Sequence, residues 1–242
     1  MHADPDEIEK FDALAQDWWD AKGPMAPLHK LNPTRLAYIR DHLLTLQPSA
    51  PPPLRPLNGL TILDIGCGAG LAAEPMAKMG GTVTGIDLAS AALDAARAHA
   101  EGRGVAVDYR RAELASMVDA GQTFDAVTML EVIEHVDDQQ RFCDLAAACI
   151  RPGGLLIAST ISKTVEAYFK AIVGAEYLLG WLPKGTHDWR QFVKPSAMAK
   201  MLRRAGLQVS DITGVAYDAA HDRFSLCQDP SVNYMMVARK PG

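Results

Sequence analysis

Residues 63–70 have the sequence Leu-Asp-Ile-Gly-Cys-Gly-Ala-Gly, in which a short apolar run passes into three alternating glycines. Glycines at the turn from a strand into a helix let the backbone bend sharply and let a ligand approach without meeting a Cβ atom. We expect Gly66 and Gly68 to bring backbone N–H groups to such a ligand, and Asp64 to brace the loop or to meet a ligand amino group through water. Asp87 ends the next predicted strand, where a carboxylate accepts hydrogen bonds from the ribose hydroxyls of an adenosine. The loop and this acid together predict a cofactor that contains adenosine.

Strands and helices alternate on both sides of this loop. Strands are predicted at residues 60–65, 82–86, 105–109, 124–130 and 155–159. Helices are predicted at residues 71–79, 89–100, 139–150 and 195–205, and a short helix or a loop at residues 112–119. Such alternation, with helices of about ten residues, is typical of βαβ units in a doubly wound, mostly parallel sheet. No helix lies between the last two predicted strands, at 208–215 and 232–239, so we expect them to pair as an antiparallel hairpin.

The chain in front of the sheet is predicted to be helical. Apolar residues recur at helical spacing between Asp6 and Asp20, which predicts a first helix there. Asn32-Pro33 is typical of an N-cap followed by proline in the first turn, and it predicts that a second helix begins at this point and ends near Leu44.

Composition and charge exclude several classes of protein. The 242 residues carry 24 Lys and Arg against 29 Asp and Glu, a net charge of −5, which argues against a nucleic-acid binder with a basic surface. The four cysteines include no C-x-x-C pair, which argues against a zinc ribbon or a redox dithiol and fits a reducing cytosol. The chain begins with neither a signal peptide nor an Arg-rich transit peptide, and it has no apolar run of about 18 residues that would span a membrane.

The pattern Asp-x-Gly-x-Gly-x-Gly from Asp64 to Gly70 resembles motif I of the class I S-adenosylmethionine-dependent methyltransferases. Their fold is a seven-stranded, mostly parallel, Rossmann-like sheet that ends in an antiparallel hairpin like the one predicted here. Dinucleotide-binding enzymes usually have G-x-G-x-x-G instead. The resemblance therefore implies S-adenosylmethionine as the cofactor and disfavours an NAD-dependent oxidoreductase.

Further runs of sequence resemble the ubiquinone biosynthesis O-methyltransferases, and they extend over nearly the whole chain. The most specific runs are Val-Gly-Ala-Glu-Tyr at 173–177 and Pro-Lys-Gly-Thr-His-Asp at 183–188. The others lie at residues 11–15, 18–20, 28–35, 131–135 and 229–234. The resemblance implies an enzyme that methylates ring hydroxyls of polyprenylated phenols and catechols, namely 2-polyprenyl-6-hydroxyphenol and 3-demethylubiquinol. Because eukaryotic relatives carry a transit peptide, we expect a bacterial protein.

The same resemblance assigns cofactor contacts to Arg35, Gly66, Asp87 and Leu130. Arg35 is predicted in the first turn of its helix, where a guanidinium is suited to clamp the cofactor carboxylate with two hydrogen bonds. Ala69 departs from the third consecutive glycine that many relatives have. Since alanine is small, we expect no loss of cofactor binding.

The run Glu-Val-Ile-Glu-His after the fourth predicted strand supplies the candidate catalytic and metal-binding side chains. On a helix, Glu131, Glu134 and His135 would share one face. Since the resemblance implies metal-assisted methylation, these three residues are candidate ligands of Mg²⁺ or Zn²⁺. The alternative is that the run shapes a metal-free pocket.

Transfer to a phenol requires activation of its oxygen, because a free phenol has a pKa of about 10. A cation chelated by both catechol oxygens would supply it by charge. His135 or His187 would supply it by accepting the proton. The candidate catalytic side chains are therefore Glu131, His135 and His187.

Residues 165–182 form an unusually apolar segment with few charges. A helix that is apolar nearly all round is either deeply buried or in contact with lipid, and one of this length is long enough to lie in a membrane interface but not to span the bilayer. Because a polyprenyl substrate resides in the bilayer, we expect this segment to contact membrane lipid, with Lys184, Arg190 and Lys194 near anionic headgroups. The alternative is a lid helix packed on the sheet. Lipid contact predicts a cytoplasmic protein, peripheral at the inner face of the cytoplasmic membrane.

We expect one methyltransferase domain over residues 1–242. Its predicted parts are a helical cap (1–47), a proline-rich connector (48–57), the cofactor-binding core (58–160), a lid or lipid-contact insertion (161–195) and a C-terminal helix with a hairpin (196–242). Two other functions stay open. One is an O-methyltransferase for another small phenol or a fatty-acyl chain, and the other is a non-catalytic, cofactor-binding subunit of a quinone-biosynthesis complex.

Overall fold

The computed structural model describes residues 15–47, 54–164 and 192–242, which fold around an eight-stranded sheet. The strands are β1 (Thr61–Ile65), β2 (Thr82–Asp87), β3 (Asp108–Arg111), β4 (Phe124–Leu130), β5 (Ile150–Ile161), β6 (Gln208–Asp218), β7 (Arg223–Cys227) and β8 (Asn233–Arg239). The helices are α1 (Ala26–Leu43), α2 (Ala73–Lys78), α3 (Ser90–Gly102), α4 (Leu114–Asp119), α5 (Gln139–Ala148) and α6 (Pro195–Arg204). The order across the sheet is β3-β2-β1-β4-β5-β8-β6-β7.

Strands β3, β2, β1, β4 and β5, in this order across the sheet, pair parallel with one another, which confirms the predicted doubly wound sheet. Strands β1 and β4 lie in its middle and are almost fully buried, as expected for strands covered on both faces. One core cluster contains side chains of α4, α5 and α6, and the other contains side chains of α1, α2 and α3. Strand β4 has the predicted bounds, whereas β3 begins three residues later than expected because the Val105 N–H bonds to the Ala100 carbonyl at the end of α3.

The carboxyl-terminal part of the sheet is antiparallel, as predicted. Strand β8 lies between β5 and β6 and pairs antiparallel with both. The connection from β6 to β8 contains an additional edge strand, β7, so the sheet has eight strands where the sequence predicts seven. Strand β7 is short and mostly exposed on both faces, and it therefore lacks the apolar alternation by which a strand is recognised.

The first helix of the sheet-flanking layer begins earlier than predicted. Helix α1 starts at Ala26 with Pro27 in its first turn, and Pro33 lies inside it. Asn32 is not an N-cap: its side-chain amide is buried and donates to the Leu71 carbonyl at 2.6 Å. Asn32 therefore makes a tertiary contact, and Pro33 is an internal proline that the helix tolerates. Pro27, in the first turn, marks the start of the helix.

The predicted helix from Asp6 to Asp20 is wrong in its described part, because Ala15–Asp17 forms a single 3-10 turn. Its remainder, residues 6–14, lies outside the described residues, as do residues 48–53 of the proline-rich connector and the whole segment 165–191. Among the helices that the structure describes, none is long and apolar enough to cross a membrane.

Helix α1 is bonded to the loop before α2 and to the hairpin of β6 and β7. Besides the Asn32 contact, the Thr34 hydroxyl donates to the Phe224 carbonyl in β7 at 2.9 Å, and Lys30 forms a 2.7 Å ion pair with Asp222. The Tyr38 hydroxyl donates to Asp211 in β6 at 2.5 Å. These contacts fix Arg35, in the middle of α1, against the carboxyl-terminal edge of the parallel strands.

Candidate functional site

Backbone N–H groups of the glycine loop between β1 and α2 are hydrogen-bonded to other groups of the protein. The N–H groups of Gly66 and Cys67 both donate to the Ile86 carbonyl, at 2.9 and 3.1 Å. The Gly68 N–H donates to Asp87 Oδ2 at 2.8 Å. The expectation that Gly66 and Gly68 present free N–H groups to a ligand is therefore wrong for this conformation, and the loop is instead tied to the end of β2.

The glycines are required for space and for backbone conformation. Gly66 and Gly68 have φ angles of 66° and 51°, in the left-handed region that favours glycine. A Cβ atom on Gly66 would lie 2.7 Å from a methyl group of Val132, and one on Gly68 would lie 2.6 Å from the Trp18 ring. Trp18, which is not among the predicted site residues, therefore forms a wall of the loop. Its signal in the sequence is the Trp18-Trp19 pair.

Asp87 stands at the carboxyl end of β2 with both carboxylate oxygens oriented by the backbone. Oδ2 accepts from the Gly68 N–H, and Oδ1 accepts from the Ala89 N–H at 2.9 Å. Each carboxylate oxygen can accept more than one hydrogen bond, so acceptor capacity remains on both. Asp87 thus has the position and chemistry that the sequence predicts for a ribose-binding acid.

Arg35 and Asp64 form a buried charged pair beside this loop. Arg35 is 4% exposed and Asp64 is 2% exposed. Arg35 Nη2 donates to Asn32 Oδ1 at 3.1 Å, and Asp64 Oδ1 accepts from the Thr128 hydroxyl at 2.6 Å. Arg35 Nε and Asp64 Oδ2 are buried and have no hydrogen-bond partner.

These two unsatisfied atoms fit the amino-acid end of S-adenosylmethionine. A buried polar atom without a partner costs free energy, so such atoms in a native protein call for a ligand or water. Arg35 Nε is a donor suited to a carboxylate, and Asp64 Oδ2 is an acceptor suited to an ammonium group. The Arg35–Asp64 pair therefore matches an α-amino acid zwitterion in both charge and hydrogen-bond polarity.

Burial shifts the pKa values of this pair. Desolvation raises the pKa of Asp64 to about 6, against the opposing effects of the Thr128 hydrogen bond and the Arg35 charge. Desolvation also lowers the pKa of Arg35, and the charges of Glu131 and Asp64 oppose that change. A cationic ligand group beside Asp64 would favour its ionised form.

The run that follows β4 is not a helix face. Leu130 is the buried last residue of β4, and Glu131 has a φ of 52°, which is strained for a residue other than glycine. Only Ile133–His135 forms a 3-10 turn. The premise that Glu131, Glu134 and His135 share one helical face is therefore wrong.

The two glutamates of this run are bound by consecutive residues of β5. Glu131 Oε1 accepts from the Ser159 hydroxyl at 2.7 Å, and Glu134 Oε2 accepts from the Thr160 hydroxyl at 2.8 Å. Burial, together with the neighbouring Glu131 carboxylate, raises the pKa of Glu134. Each carboxylate is thus held by its own hydroxyl donor on β5. The spacing of the Glu-Val-Ile-Glu-His run predicts neither hydroxyl partner.

The described ranges contain no group of three or more His, Cys, Asp or Glu side chains that could hold a metal ion. The proposed metal ligands Glu131, Glu134 and His135 therefore do not form a ready-made site. His135 is half-buried at the same sheet edge, whereas His187, the other candidate base, lies outside the described residues.

The chain is similar to known proteins over nearly its whole length. A family model described as a methyltransferase domain matches residues 63–158. The ubiquinone biosynthesis O-methyltransferase of Methylobacterium sp. (strain 4-46) is 49% identical over 238 residues, which cover 98% of this chain and 96% of that protein. The protein of the same name from Methylocella silvestris is 47% identical, over 98% of this chain and 94% of the relative.

Solved structures support the fold. The magnesium protoporphyrin IX methyltransferase from Synechocystis PCC 6803 with bound SAH (S-adenosylhomocysteine) is similar with a TM-score of 0.64 and 17% identity, covering 97% of this chain and 93% of that one. A SAM-dependent methyltransferase from Aquifex aeolicus is similar with a TM-score of 0.59 and 16% identity, covering 98% of each chain.

Replacing Gly68 should damage the loop, because alanine is strained at its φ and its Cβ would meet Trp18. We expect Gly68→Ala to lower the free energy of unfolding by about 1–2 kcal/mol and to weaken SAH binding, measured by calorimetric titration. Gly102→Ala is the matched control, since its Cβ would meet nothing within 4 Å and its φ is ordinary. Equal SAH affinity in the two variants would contradict this role of Gly68.

Cofactor affinity should depend on the ionisation of Asp64. With a pKa of about 6 in the free protein, Asp64 loses its proton as pH rises from 5 to 7, and the ammonium group prefers the ionised form. We therefore expect S-adenosylmethionine affinity to increase about tenfold over this range. Asp64→Asn should bind more weakly and lack this slope. A wild-type affinity that is constant between pH 5 and 7 would refute the assignment.

Proposed function

This chain belongs to the family of ubiquinone biosynthesis O-methyltransferases, and we propose that its methyl acceptors are 2-polyprenyl-6-hydroxyphenol and 3-demethylubiquinol. It is an S-adenosylmethionine-dependent methyltransferase. The names of relatives that match almost the whole chain support the choice of acceptors. The observation that supports methyl transfer from S-adenosylmethionine is the pair of buried residues Arg35 and Asp64 beside the glycine loop, with one unsatisfied donor and one unsatisfied acceptor.

We propose the following roles for the residues of the cofactor site. Arg35 binds the cofactor carboxylate through Nε, and Asp64 binds its ammonium group through Oδ2. Asp87 accepts hydrogen bonds from the ribose hydroxyls. Gly66 and Gly68 leave room for the ligand at the loop, and Leu130 contributes an apolar wall at the end of β4.

When bound, S-adenosylmethionine supplies a methyl group that its sulfonium already activates. The protein must hold the acceptor oxygen in line with that methyl group and remove the phenolic proton. We propose His135 as the base, because it is half-buried at the carboxyl edge of β4, the edge that also carries the glycine loop. Glu131 contributes a negative charge at the same edge, and His187 is the second candidate base.

A divalent cation bound by Glu131, Glu134 and His135 is the competing proposal for acceptor activation. In the part of the chain that the structure describes, these side chains form no three-residue metal cluster, and each carboxylate already accepts from a hydroxyl of β5. We therefore derive no step through a metal ion, and the metal dependence of turnover decides between the two proposals.

We further propose that residues 165–182 contact membrane lipid beside the acceptor site and that residues 1–242 form one methyltransferase domain. The residues on either side of segment 165–191 support a position beside the acceptor site, because one is bonded next to the start of β8 and the other at the carboxyl end of β5. The Thr164 hydroxyl donates to the Ser231 carbonyl at 2.5 Å, and the Val193 N–H donates to the Ile161 carbonyl at 3.3 Å. The Tyr234 hydroxyl donates to the Val193 carbonyl at 3.0 Å. The residues that flank this segment thus lie at the end of β5 that also holds Glu131 and Glu134.

Methyl transfer from labelled S-adenosylmethionine to a short-chain polyprenyl catechol tests this function. We expect product with EDTA present, and a loss of about 10²–10⁴-fold in kcat for His135→Asn, the range for a general base. His221→Asn is the matched control, since this exposed histidine pairs with Asp218 in the β6–β7 turn. Turnover that EDTA abolishes and Mg²⁺ or Zn²⁺ restores would favour the metal proposal.

A third outcome of this assay bears on the acceptor itself. No product, despite tight cofactor binding, would exclude the polyprenyl catechol as an acceptor of the isolated chain. The function would then be that of a methyltransferase for another phenol or of a subunit that requires a quinone-biosynthesis complex.

Flotation with vesicles that contain phosphatidylglycerol tests the lipid contact. We expect the wild-type protein to float with the vesicles and Trp181→Asp to remain largely in the soluble fraction, because a charge opposes insertion of the apolar segment. Leu54→Asp is the control, since Leu54 is 89% exposed in a different part of the chain. Equal flotation of wild type and Trp181→Asp would exclude lipid contact through this segment.

A further inference from the structure

The indole of Trp19 connects the amino-terminal segment to the middle of the glycine loop. Trp19 Nε1 donates to the Ala69 carbonyl at 3.1 Å. The loop is held on its other side by the Gly68 N–H bond to Asp87 and closed by the Gly70 N–H bond to the Cys67 carbonyl at 2.9 Å. Trp19 therefore supplies the contact that holds the loop from outside the sheet.

The Trp19 ring lies flat on the imidazole of His99 in α3. Their ring centroids are 3.5 Å apart and the planes differ by 6°. Stacking of this kind is favourable beyond the apolar area that it buries, and it restricts the orientation of the indole. The direction of the Trp19 N–H group thus depends on the position of the His99 ring.

His99 is oriented in turn by Glu74, the second residue of α2. The Glu74 side chain is fully buried, one carboxylate oxygen accepts from His99 Nδ1 at 2.5 Å, and the other is paired with Lys78. Burial alone would raise the pKa of Glu74, but the hydrogen bonds from Lys78 and His99 outweigh burial and lower the pKa. Since Glu74 is an acceptor-only carboxylate, Nδ1 of His99 must carry the proton, which fixes both its tautomer and its ring plane.

We propose that Trp19 is a positioning residue for the cofactor, which acts through the glycine loop and is itself aligned by His99 and Glu74. The inference rests on the proposed cofactor site at that loop. Trp18, next in the chain, packs against Gly68, so the two tryptophans together hold residues 68 and 69 of the loop. Loss of the Trp19 bond would let the loop leave the conformation in which Asp87, Arg35 and Asp64 face one ligand.

The proposal predicts an effect on cofactor binding rather than on the chemical step. An interaction that only shapes the binding site contributes equally to the ground state and the transition state. Its loss should therefore raise the KM for S-adenosylmethionine and leave kcat at saturating cofactor unchanged. A single neutral hydrogen bond corresponds to about threefold to tenfold in affinity.

Trp19→Phe is the decisive variant, because phenylalanine can keep the stack on His99 but has no N–H group for Ala69. Titration of the full chain with S-adenosylmethionine and SAH by calorimetry should show affinity reduced about threefold to tenfold, with an unchanged thermal midpoint in the cofactor-free protein. His99→Gln, which retains a donor for Glu74 but removes the ring, should weaken binding as well. Ser210→Ala is the control: it removes one side-chain donor to a backbone carbonyl, that of Val237 in β8, and should bind like the wild type.

Asp87→Ala separates failure of this inference from failure of the proposed cofactor site. If Asp87→Ala loses affinity while Trp19→Phe binds like the wild type, the positioning role of Trp19 is overturned and the cofactor site stands. If both variants bind like the wild type, the loop is not the cofactor site and the inference fails with it. A kcat that falls in Trp19→Phe at saturating cofactor would also overturn the positioning role of Trp19.

Discussion

Arg35 carries its guanidinium into an almost fully buried position, and much of the surrounding fold serves to make that possible. Removing a cation from water costs several kcal/mol unless carboxylates and hydrogen bonds compensate for it. Here the compensation comes from the charges of Asp64 and Glu131 and from the Asn32 side chain. The compensation is incomplete, because Arg35 Nε and Asp64 Oδ2 keep unsatisfied capacity. A site that is incomplete in this way is suited to bind a zwitterion rather than merely to stabilise the fold.

This buried charge also explains why the amino-terminal helix must be fixed so firmly. Arg35 is in the middle of α1, and a small displacement of α1 would separate it from Asp64 in β1. The contacts of Asn32, Thr34 and Tyr38 tie α1 to the loop before α2, to β7 and to β6. Strand β7 and the turn before it therefore contribute to the cofactor site without touching it, since they hold the far side of α1 through Phe224 and Asp222.

The sequence predicted the central sheet well because its physical signals are local. Strand β4 is mostly apolar, and the glycine loop and Asp87 have spacings that follow from the strand-to-helix geometry. The start of α1 was misplaced because Asn32-Pro33 has the composition of a cap, whereas tertiary contacts use the same asparagine to reach Leu71. Likewise, the position of the glycines was predicted correctly, but the hydrogen-bond partners of their N–H groups were not. Donation to Ile86 and Asp87 depends on how close β2 approaches the loop.

Glu131 shows most clearly where reasoning from spacing ends. The spacing of Glu131, Glu134 and His135 fits one helical face, but the positive φ of Glu131 interrupts any helix at its first residue. Its carboxylate accepts from the Ser159 hydroxyl, whereas that of Glu134 accepts from the Thr160 hydroxyl. The negative charge of Glu131 then acts on Arg35, so that a residue predicted to serve acceptor activation helps to compensate the cation of the cofactor site. Glu131 also lies only four residues before His135, the proposed base. Its strained backbone therefore connects the position of the charge that acts on Arg35 with the position of His135.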